Sequence, residues 1–189
     1  MLENVKVNIG KNINGLVHFF VAEDDDTPIL WYSPHERCVI FPKDVHVSSS
    51  MEKIIRRKTF EIRTNTAFAE VINQCSSIER KGQDGTWIID RMKSAYIHLH
   101  QLGFAESIEV WQNGELVGGM YGVRINRVFC GESMFSKVSN ASKMALISLC
   151  RSGQYDLLDC QVPNDHLISL GAVMIPQNRF LKLLAADPT

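Results

Sequence analysis

The sequence predicts a mixed α+β or α/β fold in which helices are interleaved with the strands of a mixed sheet. The strongest observation is the pair Asn113-Gly114 between the apolar segments 107–111 and 115–123. Both turn positions of such a hairpin must accept a positive φ, which Asn and Gly do readily. Segment 127–132 extends the hairpin into a meander, and apolar residues recur at helical spacing on both sides of it.

Short extended segments are predicted before the meander at 16–22, 29–32, 38–41 and 60–63. Ser49 and Glu52 form a capping box, which predicts that a short helix begins there. We expect this helix to carry a basic run of four residues, Lys53, Arg56, Arg57 and Lys58.

Longer helices are predicted from apolar stripes. One spans 68–75, and a second begins near Ile89 and ends at Gly103. After the meander, Asn140 is expected to cap a helix that reaches Cys150. A buried strand at 157–162, a short helix ending at Gly171 and a strand at 172–175 complete the predicted elements.

Composition excludes several classes of protein. The five cysteines are widely spaced without a C-x-x-C motif, which argues against a disulfide framework and a zinc site, and we expect no metal. The net charge of −1 means that a nucleic-acid partner would need a local basic patch. The first residues do not resemble a signal peptide, and no apolar run approaches the roughly 20 residues of a membrane span, so the cytoplasm is the expected location.

Three polar residues stand in apolar surroundings. Asp159 and Gln161 are two apart in a predicted buried strand, so their side chains should share a face. They form either a satisfied structural pair or a reactive one. Glu132 lies between aromatic residues and methionines, where it could hold a cationic ligand or simply pair with Arg124 or Arg127.

Several large apolar residues, two tryptophans and the basic run also have two interpretations each. Met120, Phe129 and Met134 could be core or could line a pocket for an apolar guest. Trp31 and Trp87 lie next to loops and could stack on bases or be buried. The basic run could contact phosphates or form a solvated helix face.

Taken together, several segments resemble the bacterial leucyl/phenylalanyl-tRNA–protein transferases, in order and spacing from about residue 29 to residue 184. The matching segments are 29–34, 85–88, 107–111, 118–123, 130–136, 140–143, 159–162, 164–166 and 169–172.

The resemblance implies an acetyltransferase-like (GNAT-like) main domain at 61–189 and a small N-terminal domain at 1–60. It implies transfer of Leu, Phe or Met from aminoacyl-tRNA to acceptor proteins that begin with Arg or Lys, which marks them for degradation. An aminoacyl ester is already activated, so no cofactor is expected, and catalysis is mainly a matter of positioning.

The resemblance also implies roles for particular residues. Glu132, Asp159 and Gln161 are expected to form the acceptor and catalytic group. Gln161 would accept a hydrogen bond from the attacking amine while Asp159 orients its amide, and Asp159, a water or the tRNA hydroxyl would finally take the proton. The expected substrate-binding residues are Trp31 and Trp87, which would border the terminal adenosine, and Met120, Phe129, Met134, Leu146, Leu149, Leu158 and Asn164.

The sequence departs from the family at its start. Residues 1–28 contain neither the Gly-Gly-Asp-Leu nor the Phe-Pro-Trp-Phe stretch that the family usually carries, which implies a reduced N-terminal domain. Two alternatives remain. One is an acyl-CoA-dependent acyltransferase of the same fold, although 137–142 lacks the glycines of a pyrophosphate turn. The other is a non-catalytic relative that binds tRNA or N-terminal peptides.

Overall fold

The computed structural model describes residues 34–78 and 88–186, together with the backbone of two short strands, β1 (Phe19–Val21) and β2 (Leu30–Tyr32). These two strands pair antiparallel with each other and fall within the predicted segments 16–22 and 29–32.

The other strands form one seven-stranded sheet in the order β4-β5-β6-β7-β8-β3-β9. Among the described strands, β7 and β8 are the only parallel neighbours, so the mixed sheet of an α+β protein is confirmed. The strands are β3 (Glu36–Ile40), β4 (Glu61–Thr64), β5 (Ala105–Gln112), β6 (Glu115–Ile125), β7 (Val128–Ser136), β8 (Leu157–Gln161) and β9 (Val173–Pro176).

Six α-helices and one short 3-10 helix (Pro42–Asp44) belong to the described residues. None of them has the length and hydropathy that a membrane span requires. The α-helices are α1 (Ser49–Arg56), α2 (Phe68–Ser77), α3 (Asp90–Gln101), α4 (Ala141–Arg151), α5 (Asp165–Ser169) and α6 (Gln177–Leu184).

The sheet separates the core into two layers. Successive residues of a strand point to opposite faces, and on β6 the adjacent residues Met120 and Tyr121 belong to different apolar clusters. One face packs against α1, α4 and α5, and the other against α2, α3 and α6. Gly118 lets α4 approach closely, because a Cβ there would come within 2.5 Å of the Ala141 Cβ.

Local sequence signals account for the meander and for one helix end. Asn113 and Gly114 have φ values of 53° and 81°, which confirms the predicted hairpin turn. Gly103 has a φ of 80°, and its N–H donates to the His100 carbonyl oxygen, so it ends α3 as predicted.

Four local predictions were wrong in detail. Ser48, not Ser49, caps α1, and its side chain accepts from the Met51 N–H at 3.3 Å. Lys58 lies beyond α1 with a φ of 49°. Asn140 precedes α4 as predicted, but it has a φ of 71° and its side chain makes no capping bond. β7 continues four residues beyond Glu132.

A buried carboxylate holds the segment that precedes α2. Glu109 on β5 accepts from the N–H groups of Thr66 and Ala67 at 2.9 Å each. Ser107 also donates to Glu109, at 2.8 Å. No side chain caps α2 itself, so the chain just before the helix is fixed by the neighbouring strand.

The predicted boundary near residue 60 stays a prediction. β3 lies within the predicted N-terminal segment and is an inner strand of the seven-stranded sheet, between β8 and β9. α1 belongs to the same apolar cluster as α4.

Candidate active site

The parallel strands β7 and β8 separate after a short shared run. They pair only at Val128–Cys130 with Leu157–Asp159. Gln161 then adopts a φ of 65°, which turns the chain away. Its side-chain Nε2 donates to the Gly131 carbonyl oxygen at 2.8 Å, so an amide side chain closes the ladder where the two strands diverge.

A pocket of about 160 Å³ lies at this divergence. Its lining combines apolar side chains with polar ones, and the polar ones include Glu132 and Asp159. Six of the predicted substrate-binding residues line it, namely Met120, Phe129, Met134, Leu146, Leu158 and Asn164. Leu149 does not line the pocket and lies in the adjacent core with 4% of its surface exposed.

Asp159 forms a buried ion pair with a residue that the sequence interpretation missed. Arg37 on β3 is 1% exposed, and its guanidinium donates twice to the Asp159 carboxylate, from Nε to Oδ1 at 3.2 Å and from the terminal nitrogen to Oδ2. Asp159 Oδ1 also accepts from the Gln161 backbone N–H at 3.0 Å. Asp159 thus holds the Gln161 main chain rather than its amide, which differs from the expected arrangement.

Burial governs the charge of Asp159. Removal from water raises the pKa of Asp159, and the hydrogen bond and charge of Arg37 offset part of that effect. Because the guanidinium bonds to both oxygens, it neutralises the carboxylate within the sheet.

Glu132 is a carboxylic acid whose pKa is strongly raised. Burial is the main reason that its pKa rises to about 7 from the usual 4.5. A hydrogen bond from Tyr96 lowers this pKa, the charge of Asp159 raises it, and a hydrogen bond from Gln161 lowers it. Glu132, Asp159 and Gln161 are therefore brought together, as expected.

The structural interpretation of Glu132 as an arginine partner is wrong. Arg124 pairs with Glu106 at 3.5 Å, and Arg127 pairs with Asp156 at 2.7 Å. In the described part of the chain, Glu132 Oε2 is buried without a well-formed hydrogen bond. A carboxylate left in this condition is suited to a ligand.

Other predicted residues lie apart from these contacts or outside the described residues. The side chain of Trp31 and the whole of Trp87 are outside them. Asn164 lines the pocket and also caps α5, because its Oδ1 accepts from the Leu167 N–H at 2.9 Å. The basic run, Lys53, Arg56, Arg57 and Lys58, is exposed.

Three site residues were missed. Tyr96 lies in the helix predicted from Ile89 to Gly103 but no site role was predicted for it, and Arg37 has its partner 122 positions away. His166 lines the pocket with a buried Nε2, and burial together with the charge of Lys143 lowers its pKa. An arginine inside an apolar strand was the one available signal for Arg37. Within residues 34–78 and 88–186, no three His, Cys, Asp or Glu side chains lie together as a metal site requires.

Replacing Glu132 with Gln is expected to stabilise the protein at pH 8. The raised pKa means that the folded state holds the proton more tightly than the unfolded chain, so ionisation costs stability as pH rises from about 4.5 to about 7. The neutral amide avoids this cost, and we expect a gain of about 1–3 kcal/mol at pH 8 that disappears near pH 4.

Urea denaturation at the two pH values measures this gain. Glu115→Gln, at an exposed position in the hairpin, is the matched control. If Glu132→Gln and the wild type had the same unfolding free energy at pH 8, ionisation of Glu132 would carry no cost.

The matching family model and the similar curated proteins carry the same description. A family model described as leucyl/phenylalanyl-tRNA protein transferase matches residues 39–185, a range that includes every predicted site residue except Trp31. The chain is 52% identical over 174 residues to a leucyl/phenylalanyl-tRNA–protein transferase of Flavobacterium psychrophilum, with 90% of this chain and 81% of the relative covered. It is 48% identical over 166 residues to a protein of the same name from Syntrophobacter fumaroxidans, with 86% and 71% covered.

One solved structure overlaps more weakly. It is a conserved protein of unknown function from Bacteroides thetaiotaomicron, with a TM-score of 0.49 and 13% identity, covering 82% of this chain and 56% of that chain.

Proposed function

The chain belongs to the leucyl/phenylalanyl-tRNA protein transferase family, and from that premise we propose that it transfers Leu or Phe from aminoacyl-tRNA to the N-terminal amine of acceptor proteins. It is an aminoacyltransferase, rather than an acyl-CoA-dependent enzyme or a non-catalytic binding protein. The observation that carries the proposal is the apolar pocket with Glu132 and Asp159 in its wall, which lies within the matched residues.

The reaction needs little beyond positioning. The neutral amine attacks the ester carbonyl, a C–N bond forms, and the C–O bond to the terminal ribose breaks. The proton lost by the amine balances the alkoxide that leaves on the ribose. Because the ester is already activated, holding the two reactants about 3 Å apart supplies most of the acceleration.

Gln161 is suited to orient the attacking amine. Its side-chain Nε2 donates to the Gly131 carbonyl oxygen at 2.8 Å, which fixes the orientation of the amide. With the amide held in this way, Oε1 serves as the acceptor for the amine N–H. Asp159 acts through the backbone, since it bonds the Gln161 N–H and holds the turn in place.

Glu132 is the proposed partner of the cationic first residue of the acceptor, Arg or Lys. Its pKa of about 7 means that it becomes fully charged above that pH. Attraction to the acceptor side chain would lower this pKa in the complex.

The apolar wall is the proposed donor pocket. If Met134 helps to select the aminoacyl group by size, Met134→Ala should shift the ratio of kcat/KM for Phe-tRNA over Leu-tRNA upward. One methylene in such a pocket is worth roughly 1–3 kcal/mol, so we expect a change of about tenfold. Met144→Ala is a control on α4 outside the pocket lining. An unchanged Phe-to-Leu ratio would make Met134 an ordinary core residue.

The basic run is the proposed phosphate contact for tRNA. Lys53 and Arg57 are one helical turn apart, since the Arg57 N–H donates to the Lys53 carbonyl oxygen at 3.0 Å. Replacing both with Ala should weaken tRNA binding and make its salt dependence shallower, because fewer counterions are released. Filter binding across a salt series measures both.

The choice of aminoacyl group should not change in this double variant, because it is read in the pocket. Lys43→Ala with Lys182→Ala removes the same charge elsewhere and is the control. Affinity and salt slope equal to those of the wild type would show that the run is only a solvated face.

Transfer itself is tested with radiolabelled Leu-tRNA and a protein that begins with Arg. The matched acceptors begin with Glu or carry an acetylated N-terminus. We expect label only on the first acceptor. No label on it, with Phe-tRNA as well, would refute the proposed function.

Finer assignments rest on the same premise. We propose transfer of Met as a third aminoacyl group, marking of acceptors for degradation, and the cytoplasm as the location. Trp31 and Trp87 are proposed to border the terminal adenosine. The mixed sheet supports an acetyltransferase-like main domain, and the β1–β2 pair supports a small N-terminal domain.

A further inference from the structure

The edge of β7 that faces the pocket is open. β8 pairs with β7 only as far as Cys130, and in the described part of the chain no strand pairs with this edge from Glu132 to Ser136. The opposite edge is paired with β6 from Ser133 to Ser136, and Glu132 lies in a bulge of this pairing. Among the described residues, this interior strand therefore has no strand partner on the side next to the candidate active site beyond Cys130.

The direction of those groups follows from one hydrogen bond. The Lys137 N–H donates to the Val117 carbonyl oxygen at 2.8 Å, which places the main-chain groups of residue 137 on the β6 side. Main-chain groups of successive residues in an antiparallel pair alternate between the two edges. Those of Ser133 and Phe135 therefore face β6, while the N–H and carbonyl of Met134 and Ser136 face the open edge.

An open edge of this kind has a cost unless water or a ligand satisfies it. Proteins usually cover such an edge or place charge on it. Here Glu132, Ser133 and Met134 are only half-buried and line the pocket, so a ligand can reach them. An extended peptide is the ligand that pairs with a strand edge, and it does so through its main chain.

We infer that the N-terminal segment of the acceptor protein binds as an added strand along β7 from Glu132 to Ser136. This rests on the proposed function and names how the acceptor is held. The acceptor is a polypeptide, so the main-chain amides of its extended N-terminal segment recur at the spacing of a β-strand. The edge of five residues is about 16 Å long, enough for four or five acceptor residues.

The placement agrees with the polar groups at the divergence. Glu132 and Gln161 lie at one end of the open edge, so the first residue and its amine sit there while the following residues run toward Ser136. Main-chain pairing does not depend on the side chains of the bound segment. Beyond the first residue, acceptors of different sequence are bound alike.

The test uses the full chain and six-residue peptides that begin with Arg. Each peptide carries one N-methyl group, on the amide of residue 2, 3, 4 or 5. In a strand, alternate N–H groups face the partner, so kcat/KM should fall about tenfold at alternate positions and change about twofold or less at the others. Peptides with Ala changed to Val at the same positions control for side-chain effects.

Each outcome decides between the two claims. If all four N-methyl groups changed kcat/KM equally, or none changed it, strand addition would be overturned. Labelling of the unmodified peptide in the same experiment would still support the proposed function. Failure to label the unmodified peptide and the Arg-initiated protein would overturn both. A two-residue period in kcat/KM supports the added strand.

Discussion

Asp159→Asn is expected to lower the free energy of unfolding by about 3–5 kcal/mol, because it leaves the buried Arg37 guanidinium without its opposite charge. Arg37 is 1% exposed and bonds both oxygens of the carboxylate. The amide offers one acceptor in place of two and no charge. Urea denaturation followed by circular dichroism measures the loss.

A compensating double variant separates stability from chemistry. Arg37→Met with Asp159→Leu replaces the ion pair with apolar side chains and should recover most of the lost stability, since buried pairs are often replaceable in this way. We expect it to remain inactive, because the Gln161 N–H loses its acceptor. Wild-type stability of Asp159→Asn would show that the ion pair does not hold β3 to β8.

Gln161→Ala is expected to slow transfer by about 100-fold, since the amide that orients the amine is lost. The cost in stability should be only about 1 kcal/mol, that of one hydrogen bond to the Gly131 carbonyl oxygen. Single-turnover rates at saturating Leu-tRNA measure the first effect, and urea denaturation measures the second.

Gln161→Asn is the sharper control. Asn tolerates the positive φ at this position better than Gln does, but its amide is one methylene shorter. The fold should therefore be kept and the rate still lost. Transfer by either variant within about threefold of the wild type would remove Gln161 from the mechanism.

Elements with local chemical signals were predictable from the sequence. Asn113-Gly114 and Gly103 occupy positions that require a positive φ, and these residue types tolerate it. The start of α1 was misplaced by one residue because Ser48, Ser49 and Ser50 are all competent caps, and only the final geometry selects among them.

The site was predictable in part. Glu132, Asp159 and Gln161 attract attention as polar residues in apolar segments, and the structure brings them together. Arg37 was missed because no local pattern links residues 122 positions apart. Leu149 was assigned to the pocket because helical periodicity identifies a buried face, while it does not separate the residues that line a pocket from the core behind it.

The position of β3 has a consequence for biosynthesis. Its two neighbours in the sheet, β8 and β9, are the last two of the described strands to be translated. Between Ile40 and Leu157 the ribosome adds more than 110 residues, which takes about 6–23 s at about 5–20 residues per second. During that interval the apolar residues Cys38, Val39 and Ile40 have none of the sheet partners that they acquire in the finished protein. Nascent chains that stop before β8 therefore carry an unpaired strand and no organised active site.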